Sequence, residues 1–477
     1  MELFYKVEDK PKFSQLIVLA LQQLLAIMAA TIAVPAIINT NEDLNAMGIF
    51  ANMSSSAALF GAGVGTLVYL LFTRFKSPVF LGSSFAFLGS MAAAFAGAAT
   101  INLGYLGLIL GAILAGLVYV VLSFIVKKFG TNWISKIMPA VVIGPTVAII
   151  GLSLAGNAVG DLGKGSFGGT NFYVALICGL VTLFTTIACS VFGKKMFKMI
   201  PFVIGILAGY VLASIFTVIG VIADVEALKV INFTGFTTLN TVEAWVPQFT
   251  FIKATKSFGD LSGAGEFFAL LGQVAVAYVP VAFVVFAEHI ADHKNLSTII
   301  DKNLLEDPGL DKTLLGDGVG SMAGAFFGGC PNTTYGESIG CVAISGNASV
   351  VTILTTSIMA IVISFIGPFS IFLATIPSCV MGGVCIALYG FIAVSGLKML
   401  QGVDLGDNRN LFVVSVILIA GVGGLALNIA GVVTITEVAC ALILGILVNT
   451  LVSFKKDDAS EAPAQEETTE PSEATEE

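Results

Sequence analysis

The sequence predicts an all-α polytopic membrane protein: fourteen transmembrane segments in two halves of seven, with short extended stretches in the third and tenth segments. Three observations predict it. Of the 477 residues, 56% are hydrophobic and only 11% charged, with a mean hydropathy of +0.96. Soluble domains carry about 25% charged residues, so a chain this apolar belongs in lipid. Apolar runs of membrane-spanning length recur from end to end, divided once by a long polar stretch. Finally, a polar, glycine-rich, carboxylate-bearing segment at 328–340, GGCPNTTYGESIG, interrupts those runs. A bilayer tolerates such backbone only where protein or an aqueous cavity covers it.

The elements follow in order. Residues 1–13 carry both signs of charge (Glu2, Lys6, Glu8, Asp9, Lys10, Lys12) and read as a cytoplasmic N-terminus. The apolar run after them is too long for a signal-peptide core and is expected to be a retained first span. The first half, 14–223, holds candidate spans at 14–38, 49–72, 79–98, 103–126, 137–155, 172–192 and 199–223. An extracellular connection, 224–266, separates it from the second half, 267–452. That half holds candidates at 267–291, 314–327, 335–345, 350–366, 380–400, 411–425 and 435–452. The segments at 314–327 and 335–345 fall short of the ~20 residues a straight span needs, and they flank the polar break. Interrupted helices near mid-chain point to a transport site. From 453 onward the chain is expected to be a disordered acidic cytoplasmic tail, too poor in apolar residues to order itself. Nine of the 31 acidic residues lie from Asp457 to the end, which leaves the body at 22 acidic against 22 basic. The net charge of −9 therefore marks the tail and not a surface for a cationic partner.

Lysine and arginine placement sets the orientation. With the N-terminus inside, eighteen fall in cytoplasmic positions and four (Lys164, Lys229, Lys253, Lys256) outside. That asymmetry fits the positive-inside rule, an even span count and two cytoplasmic termini in the cell membrane. Seven spans per half would invert the second half relative to the first if the halves are equivalent. One correspondence supports equivalence. Residues 79–87, VFLGSSFAF, enter the third segment as the polar break enters the tenth, each with small polar residues ahead of an apolar run. Such an entry suits an extended strand followed by a half-helix whose N-terminus presents unpaired N–H groups.

Ionisable residues at membrane depth are functional candidates by default. Glu337 is the foremost, accompanied by Asn332, Thr333 and Thr334 with no basic loop beside it. Glu288 and Asp292 are four residues apart and share a helix face. They belong either to a buried site or to the cytoplasmic end of the eighth span. His289 and His293 are the only histidines. Asp317 also suits a helix cap, and Glu437 an interfacial position. Seven cysteines without paired spacing and two histidines leave no metal set, and no nucleophile–base pair or phosphate loop suggests an enzyme. An inorganic-anion site would gather positive charge, yet no Lys or Arg falls in a span interior. Glutamate acceptors combined with backbone N–H donors suit a neutral planar ligand, with Phe85, Tyr335 and Tyr389 available for a ring face. A carboxylate there can take up a proton when the site closes and release it when water returns.

The segment NTTYGESIG (332–340) closely resembles the signature of the nucleobase–cation symporter family, which includes uracil and xanthine permeases, in the form of its uracil branch. LGSSFAF (81–87), AEHI (287–290), DPGL (307–310) and LYG (388–390) support the resemblance, which covers nearly all of the chain except the tail. It implies two inverted repeats of seven spans, with spans one to four and eight to eleven as a core and the others as a gate. It implies that Glu288 and Glu337 hold uracil through its N–H groups and that the Phe85 and Gly336 amides donate to its carbonyls. Ala30, Tyr335 and Tyr389 would line the ring, and proton coupling would rest on Glu288 with His289 or Asp292. Three departures stand out: Asp292 where some uracil members carry His, Ser338 where Asn is common, and Gln22-Gln23, a pair found in purine members. The expected activity is proton-coupled uracil uptake by alternating access, with a purine-base symporter as the alternative and an anion exchanger or channel on the same fold as a remote third. Expected partners are uracil or a related nucleobase, protons (or sodium), the bilayer and a second copy of the chain as a homodimer. Neither a nucleic acid nor a cofactor or metal is expected.

Overall fold

The computed structural model describes residues 3–453 except 195, 196, 198, 199, 242, 243, 262 and 430–432. The expected acidic tail lies outside the described residues from 454 onward. Helix α1 spans Phe13–Asn39 and α2 Ser55–Phe72, the latter capped by the Ser54 hydroxyl on the Ala57 amide. Strand β1 (Leu81–Ser83) and a 3-10 turn (Phe85–Phe87) lead into α3, Leu88–Ala96. Helix α4 runs Ile101–Phe129, α5 Ala140–Ser153, α6 Phe172–Phe192 and α7 Pro201–Ile222. Short helices follow, among them Thr250–Lys256, before α8, which covers Ala264–Ile300. Then come α9 (Leu310–Gly328), β2 (Asn332–Thr334), α10 (Gly336–Ser345) and α11 (Val350–Ile363). A turn of 85° joins α11 to the short helix Gly367–Thr375. The chain continues with α12 (Ser378–Lys398), α13 (Asn408–Val422), a hairpin of β3 (Leu427–Ile429) and β4 (Val433–Ile435), and α14 (Glu437–Ser453).

Among the described residues, eight helices are long and apolar enough to cross a membrane, or nine if the bent pair counts as one span. The fold is thus a mostly helical, multi-pass membrane architecture. Several boundaries differ from the sequence expectation. Helix α9 begins at Leu310, not 314, because the polar residues Asp311, Lys312 and Thr313 continue the helix that hydropathy alone cuts short. Helix α8 extends nine residues past the expected end at 291, to Ile300. Residues 49–54 are not helical, and the β3–β4 hairpin fills the stretch before the last helix.

The helices pack into two bodies: α1–α4 with α8–α11, and α5–α7 with α12–α14. Within lipid, helix association relies on close packing of small residues, and both bodies use it. Gly61 and Gly65 of α2 lie on Gly324 and Gly320 of α9, with no room for a Cβ on either side. In the second body, Gly151 of α5 lies on the Tyr389 carbonyl of α12, and Gly179 of α6 lies on the Cys379 carbonyl. Fewer contacts join the two bodies, chiefly α8 to α5 and α14, and α1 to α7.

Candidate functional site

The two expected breaks meet. Strands β1 and β2 pair antiparallel, Leu81 opposite Thr334, Gly82 opposite Thr333 and Ser83 opposite Asn332, and the Ser84 amide donates to the Pro331 carbonyl at 2.9 Å. All six strand residues are buried. Three-residue strands of this kind survive only because side chains complete their bonding. Thr66 Oγ1 accepts from the Leu81 amide at 2.9 Å, and Ser321 Oγ accepts from the Asn332 amide at 3.0 Å. Each strand runs into a helix start, at Phe85 and at Gly336, and neither start carries a side-chain cap. Their first-turn N–H groups face outward with the positive end of a helix dipole behind them. Tyr335 ties the two starts together, its hydroxyl donating to the Ser83 carbonyl at 2.8 Å. Gln23 Nε2 donates to Ser338 Oγ at 2.6 Å and so pins the first turn of α10 to α1.

In front of this crossing lies a cavity of about 410 Å³ between the two bodies. Its wall on one side is Phe85, Tyr335, Gly336 and Glu337 with Glu288 and Asp292 of α8; across it stand Val147, Phe202 and Phe391. Glu288 and Glu337 are half-buried and open to the cavity. Among the described residues neither carboxylate has an ion-pair partner. Asp292 accepts a hydrogen bond from Thr334 Oγ1 at 2.6 Å, which links α8 to the end of β2. Lys398, at the end of α12, lines the rim with Asn295 and Ser395. Three carboxyl groups, Glu288, Asp292 and Glu337, beside an uncapped helix start and walled by aromatic rings, can bind a flat molecule that offers both N–H donors and carbonyl acceptors.

Of the residues singled out in the sequence, Glu288, Glu337, Phe85, Gly336, Tyr335 and Asp292 come together around this cavity. Tyr389 does not line it but packs edge-on against Phe85, ring centroids 5.5 Å apart. Ala30 is fully buried in α1 and is also not part of the lining. His289 lies on another face of α8, with Nδ1 2.7 Å from Asp317 Oδ2 and Nε2 3.0 Å from Thr313 Oγ1. His293 is equally buried, whereas Lys294, Asn295 and Thr298 further along α8 are exposed. Glu288 lies within α8, which continues past it to Ile300, and it opens to the cavity. Sequence reasoning placed His289 with Glu288 in proton coupling, whereas its ring bonds Asp317 and Thr313 away from the cavity lining; Thr313 and Tyr69 were left unassigned, the i, i+4 spacing of the two histidines being the available signal.

A family model described as "Permease family" (Xan_ur_permease) matches residues 14–429. A uracil permease of Bacillus caldolyticus is 37% identical over 451 residues, covering 94% of each chain. A Bacillus subtilis uracil permease is 35% identical over 470 residues (96% of this chain and 97% of that one), and an Escherichia coli uracil permease is 36% identical over 443 residues (92% of each). Among solved structures, the murine anion transporter Slc26a9 aligns over 94% of this chain and 69% of its own with a TM-score of 0.60 at 12% identity. The transmembrane domain of the cyanobacterial bicarbonate transporter BicA aligns over 94% and 100% with a TM-score of 0.51 at 15% identity. These likenesses establish the fold alone. The family rests on the sequence matches, the family model over residues 14–429 and relatives 35–37% identical over more than nine-tenths of the chain: the chain belongs to the xanthine/uracil permease family.

Proposed function

We propose that this permease carries uracil into the cell with a proton, by alternating access between its two packed bodies. The observation that carries the reading is the pairing of two cavity-facing carboxylates with the uncapped start of α10. In the pose this supports, Glu288 and Glu337 accept the ring N–H groups. The amides of Phe85 and Gly336 donate to the carbonyls, and the Tyr335 and Phe85 rings flank the base. A bound anion would face three carboxyl groups, Glu288, Asp292 and Glu337, with Lys398 the one lysine or arginine in the lining, which disfavours an anion-exchange reading. Hydrogen bonds to charged groups contribute roughly 1.5–3 kcal/mol each, so two glutamates would supply roughly 3–6 kcal/mol of binding.

Proton coupling then falls to Glu288 with Asp292, since these two carboxylates share the cavity wall and lack a cationic partner. In the orientation with both termini cytoplasmic, Lys398, Asn295 and Ser395 mark the cytoplasmic mouth of the cavity, and the conformation is inward-open. The reading includes fourteen spans in two inverted repeats, with β1–α3 and β2–α10 as the equivalent broken spans. The body containing both strands moves against the body containing α5–α7 and α12–α14. A purine base is the second reading, and it rests on the resemblance of Gln22-Gln23 to purine members.

Reconstitution into proteoliposomes tests these points together. Labelled uracil should accumulate under an inward proton gradient, collapse with a protonophore and be competed by 5-fluorouracil. Accumulation driven only by sodium overturns proton coupling, and competition by xanthine but not 5-fluorouracil favours the purine reading. Uptake of neither base overturns both.

A further inference from the structure

Helix α8 presents two polar faces. Glu288 and Asp292 look into the cavity, while His289 and His293, each one residue further on and so about 100° around the helix, look into the protein. Every ring nitrogen of those histidines has a partner. His289 reaches Asp317 and Thr313 of α9; His293 Nδ1 donates to the His289 carbonyl at 2.8 Å, and its Nε2 lies 2.8 Å from the Tyr69 hydroxyl of α2. That hydroxyl also lies 2.7 Å from Ser77 Oγ. The two imidazoles stack with centroids 4.0 Å apart, and Tyr69, His289 and His293 are all fully buried.

We infer that this histidine face is a rotational clamp: Tyr69 and His293, with the His289–Asp317 pair, are positioning residues that fix the azimuth of α8 and so aim Glu288 and Asp292 at the substrate. Apolar packing resists separation of helices but only weakly resists rotation about an axis. Directional bonds from two successive turns to two different helices resist it strongly. A carboxylate rides about 6 Å from the helix axis, so a 10° rotation carries it about 1 Å. A misplacement of that size can cost up to about a hundredfold in a site built on geometry. The clamp lies wholly within the body that holds β1 and β2, so α8 moves with the crossing strands and keeps its carboxylates in register with the start of α10.

This inference rests on the uracil reading for its functional readout, and one arm of the test does not. Tyr69→Phe keeps the ring and removes both hydroxyl bonds, whereas Ser77→Ala removes only the outer one. Uracil affinity, measured by titration calorimetry on the full-length protein, should fall about tenfold in Tyr69→Phe and stay within twofold in Ser77→Ala. In a Glu288→Asp background the same Tyr69→Phe change should cost less than threefold, because the clamp acts through residue 288. The ligand-independent arm is maleimide labelling of Ala291→Cys, a cavity-lining position, whose rate should change at least threefold when Tyr69→Phe is added. A loss that multiplies in the double variant, or an unchanged labelling rate, overturns the clamp. If the parent protein binds no uracil, the uracil reading fails and the labelling rate alone decides the clamp.

Discussion

Gly82→Ala probes the strand crossing at its tightest point. An added Cβ would meet Cε2 and Cζ of the Tyr335 ring well inside van der Waals contact and sit 2.8 Å from Cδ2. The ring has little freedom to yield, since it is 3% exposed and its hydroxyl is bonded to the Ser83 carbonyl at 2.8 Å. Restoring ordinary contact moves the ring by about 1 Å, which breaks that bond. Losing it costs about 1 kcal/mol, and overpacking adds about 1–3 kcal/mol, for a total destabilisation of about 2–4 kcal/mol. Because Tyr335 directly precedes Gly336 and Glu337, the displacement also reaches the site, and uracil affinity should fall about ten- to a hundredfold. Fluorimetric melting and titration calorimetry on the purified protein measure both quantities. Gly272→Ala serves as the control: its Cβ meets nothing within 4 Å in the N-terminal third of α8, and the change should stabilise by up to about 1 kcal/mol. A Gly82→Ala protein that melts and binds like the parent would refute the claim that the crossing sets the site.

Three further outcomes follow. Gly61→Ala places a methyl against the Gly324 carbonyl oxygen, with Gly324 C and Gly328 N both at 3.2 Å. Backbone cannot give way as a side chain can, so α2 and α9 should part, with a loss of about 1–3 kcal/mol read by melting. Thr334→Val removes the hydroxyl that bonds Asp292 at 2.6 Å and should weaken uracil binding about three- to tenfold by calorimetry. Lys253, in the helix Thr250–Lys256, sits 2.8 Å from the Tyr105 hydroxyl and 2.9 Å from the Asn52 carbonyl, and burial with Lys256 nearby holds its ammonium down at about 8. An unfolded lysine titrates near 10.4, so between about pH 8 and 10.4 the unfolded chain binds more protons and stability rises with pH. Melting across that range should show the rise, and Lys253→Met should abolish it.

Hydropathy made most of the helices legible, because a span of twenty apolar residues has few other fates. The residues that gather at the candidate cavity were legible for a different reason. Polar residues such as Asn332 and Glu337 stand out at membrane depth, where backbone and charge must be answered by neighbouring groups. What stayed hidden depends on direction and on distant partners. Mean hydropathy cannot say that His289 and Asp292 face different ways, nor that α9 starts at Leu310 through polar residues. The pairing of Leu81 with Thr334 joins positions far apart in the chain, and three-residue strands carry no alternation to reveal it. The parallel bridge of Tyr5 with Asn347, which ties the N-terminal segment to the end of α10, was invisible for the same reason.

The central claim is that Glu337, at the uncapped start of α10, receives an N–H of a neutral nucleobase. Titration of uracil into Glu337→Gln tests it most directly, since the substitution keeps size and an acceptor oxygen but removes the charge. The account predicts an affinity about ten- to a hundredfold below that of the parent, with melting little changed. Undiminished uracil affinity in Glu337→Gln would contradict it.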